Sequence, residues 1–246
     1  MKLAMLFGTE RARALLITLL MMMIGAAGCG AGNLHEKETE SVMSKNTMGA
    51  AVIYVALGDS TGVGVGAEHG GYVGRLFERI KHERPGSQLT NLCVSGATTE
   101  DVLRDQTGPA LSSGTTLVTL GVGINDAGRG VPVERFARNY EEIVKRIRAR
   151  TNAPIVITNL PDVSLAPVVP LFMRDEARRR IELYNERITD IATRYGLRVV
   201  DAFSTTHEVI PTHPEFFSAD GFHPSDIGYE YWAKTMWPTV KEAISE

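Results

Sequence analysis

The sequence predicts an α/β domain, a three-layer α/β/α sandwich around a five-stranded, mostly parallel sheet. Three observations predict it. Strand-like runs at 51–57, 88–94, 115–121, 154–160 and 197–202 alternate with helix-like stretches along the chain. Several of these runs are apolar at consecutive positions, the pattern of a strand covered on both faces. Glycines at 58, 96 and 123 fall just past three of the runs, where a parallel sheet places its ligand-binding loops.

The N-terminus is a separate object. Lys2, Arg11 and Arg13 precede an apolar run, Ala14 to Ile24, and the small residues Gly25-Ala-Ala-Gly28 follow. That is the layout of a secretory signal peptide over 1–28, and the apolar core is shorter than the ~20 residues of a comfortable membrane span. Ala26-Ala-Gly-Cys29 resembles a bacterial lipoprotein processing box, with Ala26 where that box usually has leucine. The leading expectation is an exported protein anchored to a membrane through lipidated Cys29. Plain secretion into the periplasm or medium and an uncleaved anchor are the alternatives. Residues 29–50 are polar and aperiodic, as a tether would be, and the domain is expected over 51–246.

Within the domain each helix declares itself by one apolar face. Tyr72, Val73, Leu76, Phe77 and Ile80 mark the first, over 72–81. Phe136, Tyr140, Ile143, Val144 and Ile147 mark a second over 133–150, and Ile181, Tyr184, Ile188 and Ile191 a third over 175–195. A last helix is expected over roughly 225–244, with Pro238 able to kink or split it.

The formal charge of −3 leaves no bulk basic field for nucleic acid. The leader carries three basic residues and Glu10, so the remainder carries −5, and overall charge gives it no attraction to anionic lipid. Cys93, in the strand-like Leu89 to Val94, reads as a small buried hydrophobe with no basic neighbour to lower its pKa. If Cys29 is lipidated, no intrachain disulfide is possible. His207 and His213 fall in a loop-like stretch without ligand-like partner spacing and are expected at the surface, His69 and His82 belong to no motif, and no zinc cluster is visible.

The chemistry lies at the strand ends. Ser60 follows the first strand in Gly58-Asp-Ser60, where a hydroxyl can sit exposed at the sheet edge. A capping or turn serine would look the same. Its neighbour Asp59 points to the opposite side of an extended chain and is expected to be structural. Near the other end, Asp220 precedes His223 by three residues. That spacing allows the carboxylate to reach imidazole Nδ1 within one turn, leaving Nε2 to serve Ser60 as general base and then general acid. Asn125, just after the third strand, can donate to a developing oxyanion, as can the N–H groups of Gly96 and Ser60. Asp126 is expected to brace the Asn125 loop. Gly62-Val-Gly-Val-Gly-Ala67 matches a dinucleotide signature, but its glycines begin five residues beyond Leu57 and Glu83 precedes the second strand. The segment from Leu160 to Met173 is apolar and proline-rich, suited to walling an acyl pocket or forming a partial lid.

In order and spacing, Gly58-Asp-Ser-Thr61, Gly96, Gly123-Ile-Asn-Asp126 and Asp220-Gly-Phe-His-Pro224 resemble the SGNH hydrolase superfamily, the GDSL esterases and lipases. Ser60, Gly96, Asn125 and His223 stand at its four lettered positions, and Thr61 stands where leucine is eponymous. The resemblance spans about 51–240. It implies a flavodoxin-like domain, a Ser-His-Asp mechanism without metal or cofactor, ester substrates, and an oxyanion hole made by Ser60, Gly96 and Asn125. The Gly-x-Ser-x-Gly elbow of α/β-hydrolases is absent. A carbohydrate O-acetyl esterase or O-acetyltransferase on the same machinery, and a non-catalytic envelope binding protein, are the alternative functions.

Overall fold

The structure is a computed structural model that describes residues 49–108 and 110–246. The leader, Cys29 and the tether up to residue 48 lie outside the described residues.

The chain alternates as its apolar runs predict. Strand β1 (Ile53–Gly58) leads through the short helix α1 (Ser60–Val63) into α2 (Tyr72–Glu83) and β2 (Gln88–Asn91). A single turn, α3 (Thr99–Asp101), runs into a π-helical stretch, Val102–Gln106, before β3 (Leu117–Gly121), α4 (Ile124–Gly128) and α5 (Val133–Arg148). Then come β4 (Ile155–Thr158), α6 (Arg174–Tyr195), β5 (Arg198–Val200), α7 (Ala202–Val209) and α8 (Asp226–Ala243). The five strands form one sheet in the order β2-β1-β3-β4-β5, every neighbouring pair parallel. This is the flavodoxin-like order, whose switch point lies between β1 and β3.

Alternating side chains of the central strands feed two cores. Val55, Leu57, Val118, Leu120, Ile155 and Ile157 face α5 and α6. Tyr54, Ala56, Leu117 and Val156 face α2 and α8. All ten are at most 1% exposed, which is why these strands read as unbroken apolar runs.

The edges differ from expectation. Gln88, Thr90 and Asn91 of β2 are exposed, and the strand ends at Asn91 rather than continuing to Val94. There the Asn91 side chain accepts the Cys93 N–H at 3.1 Å and donates to the Gly62 carbonyl at 3.0 Å, while the Leu92 and Val94 N–H groups still donate to the Ala56 and Gly58 carbonyls of β1 at 2.8 and 3.1 Å. Cys93 is thus half-buried just past the strand rather than within it; its thiol faces Gly58 and Gly62, and burial pushes its pKa well up. Helix α8 passes through Pro238 without being split. Helix α7 occupies a stretch without clear periodicity, started by the Asp201 carboxylate, which accepts the Ser204 N–H at 3.0 Å.

Candidate active site

Three strand ends and one long return loop meet at the β1/β3 switch point. Strand β1 stops at Gly58, whose place no larger residue could take: a Cβ there would lie 2.4 Å from the Gly121 carbonyl oxygen on β3. Both backbone groups of Gly58 engage one side-chain amide. Its N–H donates to Gln106 Oε1 at 2.8 Å and its carbonyl accepts from Gln106 Nε2 at 2.9 Å. Asp59 then caps α1, accepting the Thr61 N–H at 3.0 Å and the Thr61 hydroxyl at 2.9 Å. Its burial raises its pKa, and the two Thr61 bonds only partly offset this. Asp59 therefore has a structural place, and Ser60 begins the helix only 3% exposed.

From the far end of the sequence, the loop before α8 brings His223 to it. His223 Nε2 lies 3.0 Å from Ser60 Oγ, and Nδ1 lies 2.6 Å from Asp220 Oδ2. The other Asp220 oxygen accepts the N–H groups of Phe222 and His223, both at 2.8 Å, and the Ser218 hydroxyl at 2.9 Å. Partial burial raises the Asp220 pKa, but these bonds outweigh it, the His223 contact first, and hold it well below the ordinary carboxylate range. An ionised carboxylate on Nδ1 selects the tautomer that leaves Nε2 free to accept the serine proton.

The donors on the other side share a second small network. Gly96 adopts φ +78°, a left-handed turn conformation that glycine enters at little cost. Its carbonyl accepts from Arg129 Nη2 at 2.8 Å, and the next carbonyl, of Ala97, accepts from Asn125 Nδ2 at 3.0 Å. Asn125 sits in the first turn of α4, so the two loops that follow β2 and β3 are cross-tied. Asp126 strengthens the tie by accepting the Thr99 N–H at 2.9 Å and the Thr99 hydroxyl at 2.5 Å. Burial raises its pKa.

Beside His223 lies an apolar cavity of about 120 Å³, lined by Ile124, Leu160, Val163, Val200, Val209 and Phe222 among others. The segment 160–173 divides there. Leu160 to Val163 line the cavity, whereas Leu171 and Phe172 are 79% and 87% exposed, so only the first part of the segment walls this cavity.

Sequence inspection did not single out Gln106, Arg129 or a cluster around Asp162. Asp162, with its side chain fully buried, accepts the Ser164 hydroxyl at 2.5 Å and lies 3.2 Å from His207 Nδ1 and 3.3 Å from an Arg178 nitrogen. His207 was expected in a loop without a partner; it is on α7, half-exposed, and paired. His213 lies 2.9 Å from Glu215 and His69 3.1 Å from Asp226, both near the surface. Among the described residues, no group of three or more His, Cys, Asp or Glu side chains could hold a metal ion.

Comparison with known proteins places this geometry in a family. Residues 56–231 match the profile of the GDSL-like lipase/acylhydrolase family. The chain is 45% identical to lipase 1 of Streptomyces coelicolor over 89 residues, 32% of each chain. It is 26% identical to a GDSL-like esterase of Mycobacterium tuberculosis over 202 residues, 77% of this chain and 62% of that one. It thus spans about a third and somewhat under two thirds of these relatives' lengths. Among solved structures, phospholipase A1 from Streptomyces albidoflavus superposes with a TM-score of 0.61 at 25% identity, covering 79% of this chain and 100% of that one. The profile match covers most of the folded domain, and the chain belongs to the GDSL-like lipase/acylhydrolase family, a family of ester hydrolases.

Proposed function

We propose that the chain hydrolyses carboxylic esters through an acyl-enzyme, with Ser60 as nucleophile, His223 as general base and acid, and Asp220 as the group that orients and charges the imidazole. The observation that carries this reading is the continuous hydrogen-bonded chain Ser60–His223–Asp220. In the first half-reaction Ser60 Oγ attacks the ester carbonyl carbon while its proton passes to His223 Nε2. The resulting oxyanion takes hydrogen bonds from the N–H groups of Ser60 and Gly96 and from the Asn125 amide. Removing one such donor typically costs about 3 kcal/mol of transition-state stabilisation. His223 then gives its proton to the alkoxide as the carbon–oxygen bond breaks. A water molecule repeats the cycle on the acyl-serine, yielding the free acid. Asp220 stays ionised throughout, as its low pKa requires.

The apolar cavity beside His223 favours an aliphatic acyl or alcohol group over a charged one, in keeping with the lipid esters named for its phospholipase neighbour. Export and lipidation at Cys29 belong to the same proposal. Incorporation of labelled palmitate into wild type but not Cys29→Ser would support them, and labelling of neither would remove the anchor.

The deciding assay is hydrolysis of p-nitrophenyl esters from acetate to palmitate by wild type and Ser60→Ala. Turnover that disappears in the variant is expected. Equal turnover in both would exclude Ser60 as nucleophile. Absence of turnover at every chain length, with acyl transfer to added sugars, would move the reading to an O-acetyltransferase.

A further inference from the structure

The most exposed apolar surface on the described domain is a single turn beside the proposed active site. Pro170 introduces a 3-10 turn, Leu171–Met173, that runs straight into α6. Leu171 is 79% exposed, Phe172 87%, Val168 56% and Met173 49%. Together these side chains present on the order of 500 Å² to solvent, at the upper end of patches that a soluble monomer tolerates. No other place among the described residues gathers four large exposed hydrophobics.

Two observations say what meets it. The first is charge. Between residues 167 and 180 stand four arginines against Asp175 and Glu176; Arg178 pairs with the buried Asp162, and Arg179 and Arg180 share Glu176, so the four arginines face three carboxylates. Arg174 has no carboxylate partner among the described residues; its Nε donates to the Val169 carbonyl at 3.3 Å, holding the guanidinium under the turn. Arg129, at the rim of the Gly96 loop, likewise donates only to a backbone carbonyl. The chain as a whole is negative, but screening limits each charge to about 10 Å, so a surface touching this turn feels the local positive excess. The second is connection to the site. The Val168 N–H donates to the Gly221 carbonyl at 3.2 Å, and the ring of Pro167 lies against Gly221. Gly221 stands between Asp220 and His223, so the turn is tied to the loop that carries both.

We propose that Val168, Leu171, Phe172 and Met173 are a membrane-docking tip. It inserts into an anionic lipid surface, with Arg174 and Arg179 at headgroup level, and sets the Ser60–His223 site against esters held in that surface. A projecting apolar tip with a basic collar suits a deformable interface, where binding grows with buried apolar area and with attraction to anionic headgroups. A second copy of the chain is a poorer occupant, since a stable protein interface buries roughly 800 Å² on each partner. The catalytic consequence rests on the proposed ester hydrolysis; the docking itself does not.

The test uses the full chain carrying Cys29→Ser, with Phe172→Cys labelled by an environment-sensitive nitrobenzoxadiazole group. A control carries the label at exposed Ser112 (Ser112→Cys), which precedes the central strand β3, at the N-terminal end of the parallel strands and opposite their site-bearing C-terminal ends. Vesicles of phosphatidylcholine mixed with phosphatidylglycerol are expected to shift the emission at 172 to the blue and leave 112 unchanged. Pure phosphatidylcholine should give a smaller shift, and Arg174→Glu with Arg179→Glu should remove the difference. The double variant Leu171→Ser, Phe172→Ser should hydrolyse a phospholipid in the mixed vesicles about tenfold more slowly or worse, while keeping its activity on soluble p-nitrophenyl acetate. No shift at 172 with either vesicle overturns the proposal. So does a shift that follows protein concentration without vesicles, which would identify self-association. A shift at 172 in a chain that hydrolyses no ester would overturn the esterase reading and leave the docking tip standing.

Discussion

Two places in this molecule hold a serine, a histidine and an aspartate in hydrogen-bonded contact, and they are wired in opposite order. In the first, the imidazole stands in the middle, with Ser60 Oγ 3.0 Å from Nε2 and Asp220 2.6 Å from Nδ1. In the second, the carboxylate stands in the middle. Asp162 accepts the Ser164 hydroxyl at one oxygen and faces His207 and Arg178 with the other. The first order lets a proton leave serine for a base. The second gives the Ser164 proton to a fully buried carboxylate that has three other ties, and the histidine never reaches the hydroxyl. In the proposed reaction the first is a route for a proton; the second is a clasp joining the loop after β4 to α6 and α7. The same residue types therefore support different roles, and the order of the bonds tells them apart.

Mutations can break or sharpen that contrast. The largest effect belongs to Ser60→Ala and His223→Ala, each expected to lower kcat on a soluble ester by about 10⁴-fold or more. Ser164→Ala and His207→Ala should leave kcat essentially unchanged, and a loss there comparable to Ser60→Ala would dissolve the distinction. Asn125→Ala comes next, with a kcat loss of about 10² to 10³ and little change in KM. Asp162→Asn should act on stability instead, lowering unfolding free energy by about 1–3 kcal/mol, seen as a lower Tm with activity per folded molecule retained. The smallest and most diagnostic effect is the pH dependence of Asp220→Asn. The wild-type carboxylate has a depressed folded pKa, so its contribution to stability is present above the unfolded carboxylate value of about 3.9 and is lost as pH falls through the lower folded value. The stability difference between wild type and variant should be flat at neutral pH and shrink only in strong acid. A gap that closed between pH 5 and 7 would mean that Asp220 is not held by the bonds described.

Much of the fold was legible because burial writes itself into sequence. The central strands β1, β3 and β4 are covered on both faces and appear as continuous apolar runs, and α2, α5 and α6 each carry one apolar stripe. The edge strands were harder. The apolar Leu92-Cys-Val94 reads as a continuation of β2, yet the regular strand stops at Asn91, whose side chain accepts the Cys93 N–H and donates to the Gly62 carbonyl. Helices α1, α3 and α4 are too short to show a period, and α7 is rich in β-branched residues that speak against a helix. At the site, Ser60, Gly96, Asn125, Asp220 and His223 stood out because each sits in a local motif. Gln106 and Arg129 did not, because their partners lie 48 and 33 residues away, and Asp162 did not, because the His207 it faces lies 45 residues away. Such contacts leave no spacing to read.

The Gln106 amide has a consequence in time. Past Asn91 the chain stays on β1 only through the Leu92 and Val94 N–H groups, which donate to the Ala56 and Gly58 carbonyls, and the Gln106 side chain from the π-helical stretch adds bonds to both backbone groups of Gly58. The turn that presents Ser60 is therefore not finished when the strands have paired. It waits for a segment far along the chain to dock, and then for His223, 163 residues away, to arrive. Such distant contacts form late because closing long loops costs chain entropy before any bond repays it. A refolding chain should regain its circular dichroism before it regains turnover, and the lag between the two signals measures how long the serine waits for its seat.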